Sequence, residues 1–153
     1  MKDLEELLAE HSFFVSLESE YLRLLASCAS IVRFDAGGYL FREGEEADRF
    51  FLLRLGRVAI QIYGGAQGAI TVETLGEGEV VGYSWLVPPH RWSFDGLAVE
   101  LVRAVALDGN CLRAKCEENH DLGYELFKRF SGVMAKRLEA TRRRLLDVYG
   151  LRS

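Results

Sequence analysis

From residue 31 to residue 107, glycines cut the chain into apolar runs that are too short for lasting helices. The runs cover 31–34, 39–41, 50–53, 57–63, 69–75, 80–81, 92–98 and 99–107. Gly37-Gly38, Gly44, Gly56, Gly64-Gly65, Gly68, Gly76, Gly78 and Gly82 stand between them. In 57–63 the apolar residues alternate, with Val58, Ile60 and Ile62 on one side, as in a strand with one buried face. Phe50 to Leu53 is apolar throughout. Many short strands at regular spacing with glycine turns predict a β-barrel or a double-sheet roll.

Helical patterns flank this region. Leu4, Leu7 and Leu8 share one face of a short helix over 3–9, which Phe13-Phe14 would pack down. A second helix covers 19–25, with Ser19 as its expected N-cap. Asp108 is placed to cap a helix over 109–117. Asp121 is placed to cap a much longer one to about residue 149, where Gly150 ends it. In that helix Phe127, Phe130, Met134, Leu138, Thr141, Leu145 and Val148 recur at steps of three or four, a narrow stripe close to a coiled-coil seam. At 1.5 Å per residue it would run roughly 44 Å, more than one small barrel can cover, so a homodimer through it is expected. One domain is expected over 1–153. Its N-terminal helices lie in 1–27 and its β-roll in 28–107, with a short helix near 83–87. C-terminal helices follow in 108–150.

Composition narrows the function. With 49% hydrophobic residues the chain can bury a core. The net charge is −4 but uneven: residues 121–153 hold eight Lys/Arg against four Asp/Glu, and the first 120 hold eleven against nineteen. Arg142-Arg143-Arg144 reads as a solvated face near a helix C-terminus, not a nucleic-acid surface. No apolar run approaches the ~18 residues of a membrane span, and Met-Lys-Asp-Leu-Glu-Glu at the start is no signal peptide. Three cysteines, with no close pair, suggest free thiols and a cytoplasmic setting. Cys111 and Cys116 are expected on different faces of one helix. His11, His90 and His120 sit in separate segments, which argues against a metal site. No nucleophile–base pair has a recognisable spacing, so no enzyme and no cofactor are expected.

The stretch of chemical interest is 76–98. After Val80-Val81 comes Gly82, then one possible helical turn over 83–87, stopped by Pro88-Pro89. Such a turn leaves free backbone N–H groups, a potential anion site. Upstream stands Gly44-Glu45-x-Ala47-x-x-Phe50-Phe51-Leu52-Leu53-x-x-Gly56, and in the long helix Met134-Ala135-Lys136-Arg137-Leu138-Glu139-Ala140-Thr141. In these motifs the chain resembles the cyclic-nucleotide-binding domain of the catabolite-activator (CRP/FNR) superfamily. The resemblance implies a mainly β jelly-roll, or β-roll, with N-terminal helices, a short helix in a phosphate cassette and a long C-terminal dimer helix. It implies a cytoplasmic regulatory role in signal transduction, with a Thr or Ser near the place of Thr141 meeting the base. Many members continue into a helix-turn-helix. Here the sequence ends at Ser153, so that DNA reader is expected to be missing. The β-roll also resembles the cupin barrel, whose members often bind metal through several histidines.

The cassette departs from the family pattern. The resemblance implies Gly-Glu at the short helix and Arg-Ser/Thr-Ala at the next strand, the Glu for the ribose and the Arg for the cyclic phosphate. Gly82 is kept, but Tyr83 stands at the Glu place, Trp92 at the Arg place and Phe94 at the Ala place. Trp85 is bulky where the family prefers a small residue. Arg91 is one residue out of register and would need a bulge to reach the site. Losing a buried charged partner costs about 2–5 kcal/mol, and a helix terminus contributes only about 0.3–2 kcal/mol. Weak or absent binding of cyclic AMP and cyclic GMP is expected. The rings of Tyr83, Trp85, Trp92 and Phe94 either fill the vacated site or line a pocket for an apolar or planar ligand. The candidate pocket residues are Val81, Gly82, Tyr83, Ser84, Arg91, Trp92, Ser93 and Thr141. Two roles follow: a stand-alone ligand-sensing module, or a dimerisation or partner-binding module with a closed pocket.

Overall fold

A computed structural model describes residues 2–150, so the outermost residues of the expected 1–153 domain lie outside the described ones. Eight strands are framed by helices α1 (Leu4–Glu10), α2 (Ser19–Ala26), α3 (Gly109–Glu118) and α4 (His120–Val148), with a 3-10 turn at Ser12–Phe14. The strands are β1 (Ala29–Phe34), β2 (Tyr39–Phe41), β3 (Arg49–Leu55), β4 (Val58–Tyr63), β5 (Ala69–Leu75), β6 (Val80–Val81), β7 (Asp95–Ala98) and β8 (Val102–Asp108). They form two antiparallel four-stranded sheets, ordered β1-β8-β3-β6 and β2-β7-β4-β5. This is the β-roll that the glycine-punctuated pattern predicts.

The unbroken apolar run in β3 has a physical reason. Successive strand side chains point to opposite faces, and both faces of β3 are covered. Phe51 and Leu53 point into the roll with Val81, Ala104 and Ala106, where they meet Phe41, Val58, Ile60 and Leu75 of the other sheet. Phe50 and Leu52 point outward with Val105 and Leu107, under Leu8, Phe14, Leu25, Leu112, Leu126 and Phe130 of the helices. The sheet is therefore the middle layer between two cores. Gly56 closes the β3–β4 turn at φ 91°, and a Cβ there would lie 2.1 Å from the Leu101 carbonyl oxygen, so no side chain fits.

Several local expectations are corrected. Ser19 is the first residue of α2 and does not cap it; Glu18 holds the N-cap place without a side-chain bond. Asn119, not Asp121, caps α4, its side chain accepting from the Leu122 N–H at 3.1 Å. Asp121 lies in the first turn, where its charge still suits the helix dipole. Asp108 caps α3 as expected, accepting from the Cys111 N–H at 2.8 Å. Strand structure expected over 92–98 begins only at Asp95. Trp92 instead exchanges backbone bonds with the turn before β3, donating to Glu45 O at 3.0 Å and accepting from Gly44 N–H at 2.8 Å. Strand β8 begins at Val102, because Val99 turns back to the Arg57 carbonyl at 3.1 Å.

The cysteine expectation fails for a reason of topology. Cys28 and Cys111 form a disulfide, with Cα atoms 5.7 Å apart and 83 residues between them in sequence. Cys28 immediately precedes β1, and Cys111 lies in the first turn after β8. The β1–β8 pairing brings these ends together, with the Asp108 N–H donating to Cys28 O at 2.9 Å. Cys116 is unpaired and half-buried, and burial pushes its thiol pKa up, aided by Glu117.

Candidate functional site

A cavity of about 400 Å³ opens between the inner face of the second sheet, the segment after β6 and helix α4. Phe41, Ile60, Ile62 and Val72 supply one wall, Gly82, Tyr83, Ser84, Trp92 and Phe94 a second, and Met134, Leu138 and Thr141 a third. Glu73 and Arg137 add its charges. Thus Gly82, Tyr83, Ser84, Trp92 and Thr141 of the expected set come together here.

The other expected residues lie elsewhere. Val81 is buried in the roll's inner core. Ser93 is exposed and is not part of the lining. Arg91 is exposed and donates from Nη1 to the Gly44 carbonyl at 3.2 Å, so no bulge returns it to the site. Trp85 is also outside. It is fully buried beneath the helices, stacked on Phe50 with ring centroids 5.2 Å apart and edge-on to Phe130 at 5.5 Å. The expected helix over 83–87 is a pair of turns closed by Leu86 N–H to Tyr83 O and Val87 N–H to Ser84 O. No helix N-terminus is presented there.

Trp92 decides the shape of the inner end. Its indole lies flat against Phe41, with centroids 3.8 Å apart and planes 10° apart. The same ring covers the Gly82 turn so closely that a Cβ on Gly82 would lie 2.6 Å from it. Gly82 also has φ 99°, a second reason for glycine. Trp92 and Phe94 therefore fill part of the volume, while the cavity beyond them remains open.

The charged pair went unread in the sequence. Arg137 projects from α4 with its side chain 16% exposed, and Glu73 from β5 at 24%. Their closest approach, Nε to Oε1, is 3.9 Å. Arg137 also donates from Nη2 to the Val80 carbonyl. Burial raises the Glu73 pKa, and Arg137 and Arg144 offset this only in part. Burial likewise lowers that of Arg137, with Glu73 opposing. At 3.9 Å the pair is too loose to restore what desolvation takes. A signal for Arg137 existed, since it lies one helical turn before Thr141 on the same face. None existed for Glu73. Ile60 pairs with Glu73 and Gln61 with Thr71, so Val72 is the extra residue of a bulge. The bulge lets the consecutive Val72 and Glu73 both line the cavity, which strict alternation forbids.

Comparison with known proteins places this geometry. Residues 31–119 match the cyclic nucleotide-binding domain family, more than half of the chain, and the chain belongs to that family. It is 26% identical over 147 residues to a CRP-like cAMP-activated global transcriptional regulator of Mycobacterium tuberculosis, covering 95% of this chain and 63% of that protein. The chain thus spans less than two thirds of that relative's length. A candidate cyclic nucleotide-binding protein from Geobacter metallireducens GS-15 superposes with a TM-score of 0.79 at 28% identity, over 90% of this chain and 99% of that one. A cyclic nucleotide-binding domain from Methylobacillus flagellatus shares the fold with a TM-score of 0.81 at 20% identity, over 94% and 83% of the two chains.

Proposed function

We propose that this is a non-catalytic, ligand-sensing regulatory module whose site has left cyclic nucleotides behind. The observation that carries the reading is Trp92, stacked on Phe41 and pressed over Gly82 where the family resemblance puts a phosphate-binding arginine. Tyr83 stands where that resemblance puts the ribose-binding glutamate. Among the described residues, the guanidinium that lines the cavity is that of Arg137, and it already faces Glu73. A bound cyclic phosphate would bring a second negative group to that arginine. Thr141 offers little compensation, because its hydroxyl already donates to the Arg137 carbonyl at 2.8 Å. The remaining volume of about 400 Å³ favours an open ligand site over a closed pocket. Thermal denaturation with and without cyclic AMP or cyclic GMP tests this, since a ligand bound only by the folded state raises its stability. No shift is expected from either. A clear shift from one of them contradicts the reading.

A homodimer through α4 belongs to the same proposal. Leu138 is 72% exposed, Leu145 55% and Val148 80%, so the distal half of the helix carries apolar side chains that its own roll does not cover. Leu138 and Thr141 also form the cavity's rim, and a second helix laid along them would help close it.

A further inference from the structure

The cavity is formally neutral, and its two charges are only partly spent on each other. Glu73 and Arg137 face across 3.9 Å, beyond hydrogen-bond distance. Of the guanidinium donors, Nη2 is committed to Val80 O. Phe41, Trp92 and Phe94, with Ile62 and Leu138, line the same cavity as the pair. A ligand bearing a single negative charge would have to share Arg137 with Glu73 and would meet the Glu73 carboxylate beside it. A ligand bearing a single positive charge would meet the converse. A molecule with neighbouring opposite charges meets no such conflict. Its anion pairs with Arg137 and its cation with Glu73, and the two pairs then run head to tail.

We propose that the cavity takes a net-neutral aromatic zwitterion of the α-amino-acid class, its carboxylate on Arg137, its ammonium on Glu73 and its ring against Trp92 and Phe94. This rests on the ligand-sensing reading and gives that reading a chemical class. The planar side chain follows from the aromatic wall, because offset and edge-on ring contacts reward a flat apolar group. The zwitterionic head follows from the loose pair, because a buried charge left without a close partner is costly.

Calorimetry at low salt with L-tryptophan, tryptamine, indole-3-propionate and neutral indole as probes tests it. L-tryptophan is expected to bind at least about tenfold more tightly than any of the other three, the worth of one charge-assisted hydrogen bond. Glu73→Gln should remove the preference for the ammonium, so that indole-3-propionate binds that variant at least as well as L-tryptophan. Arg137→Gln should do the reverse and favour tryptamine. If either variant fails to fold, the wild-type series decides alone. Equal binding of indole and L-tryptophan, or binding of none of the four, overturns the assignment. Those results leave the exclusion of cyclic nucleotides standing, because that exclusion is read from a separate titration with cyclic AMP and cyclic GMP.

Discussion

At the scale of single residues, His11 shows how a polar group is built into the N-terminal core. It is 8% exposed. Its Nδ1 accepts the Phe13 N–H at 3.1 Å, which leaves Nε2 to carry the proton and donate to Leu53 O at 3.2 Å. Protonating Nδ1 would break the first bond and bury a charge. Burial accordingly lowers the His11 pKa from 6.5, only partly opposed by the bond to Leu53. The folded value lies below the unfolded one, so the unfolded chain takes up the proton first as pH falls. The contribution of His11 is full above about pH 6.5 and is lost as pH drops through the folded pKa. Urea midpoints at pH 7.5 and pH 5 should show this loss, and His11→Phe should flatten it. An unchanged slope in the variant would assign the pH dependence to other groups. Gly56 offers a second residue-scale test. Gly56→Ala meets both a positive φ and the Leu101 carbonyl, and should destabilise by more than about 1 kcal/mol in the same urea assay.

The elements differ in how far the sequence revealed them. The strands were legible because glycine turns and alternation are local signals. The two-sided apolar run of β3 was legible because it lies between two cores. The bulge in β5 was not, since nothing local marks Val72 as the extra residue. Tyr83 and Trp92 line the cavity, whereas Trp85 turns into the helical core and Arg91 stays at the surface on the Gly44 carbonyl. Which side of a turn a tryptophan takes is settled by the core that receives it, here Phe50 and Phe130. The disulfide was illegible because strand pairing, not spacing, brings Cys28 to Cys111.

Helix α4 is the element where reading and structure part most usefully. Its stripe is two stripes. Phe130 is fully buried in its own core, with Leu122 and Leu126 beside it, and Met134 packs against the same cluster. Leu138, Leu145 and Val148 remain outside. Met134→Glu would therefore damage the protomer as well as any dimer. Leu138→Glu is the cleaner change. Sedimentation at micromolar concentration should find a dimer for the native chain and a monomer for Leu138→Glu. A monomeric native chain would rule out the pairing.

On the scale of the whole molecule, one layer order explains both stability and site. The central residues of the β1-β8-β3-β6 sheet, Phe50, Phe51, Leu52 and Leu53 with Ala104, Val105, Ala106 and Leu107, are covered by the helices on one side and by the second sheet on the other. The second sheet's inner face, toward its β4–β5 end, leaves room for the cavity, and α4 lies across that opening. The cavity is thus a product of the architecture, and in the proposed reading its side chains, Tyr83 and Trp92 above all, have replaced those that would recognise a cyclic nucleotide. Among the described residues no helix is long and apolar enough to cross a membrane.

Titration calorimetry with cyclic AMP, on the native chain and on the Tyr83→Glu/Trp92→Arg double variant, tests that exchange most directly. The native chain should show no binding in the low micromolar range. The double variant, with a carboxylate for the ribose and a guanidinium beside the Gly82 turn, should gain measurable affinity. Restoring one buried charged partner is worth roughly 2–5 kcal/mol, or at least about thirtyfold. Low-micromolar or tighter binding by the native chain would contradict the account and point to Arg137 as a phosphate partner. A folded double variant that still ignores the nucleotide would show that the backbone around Gly82, and not the side chains alone, had changed.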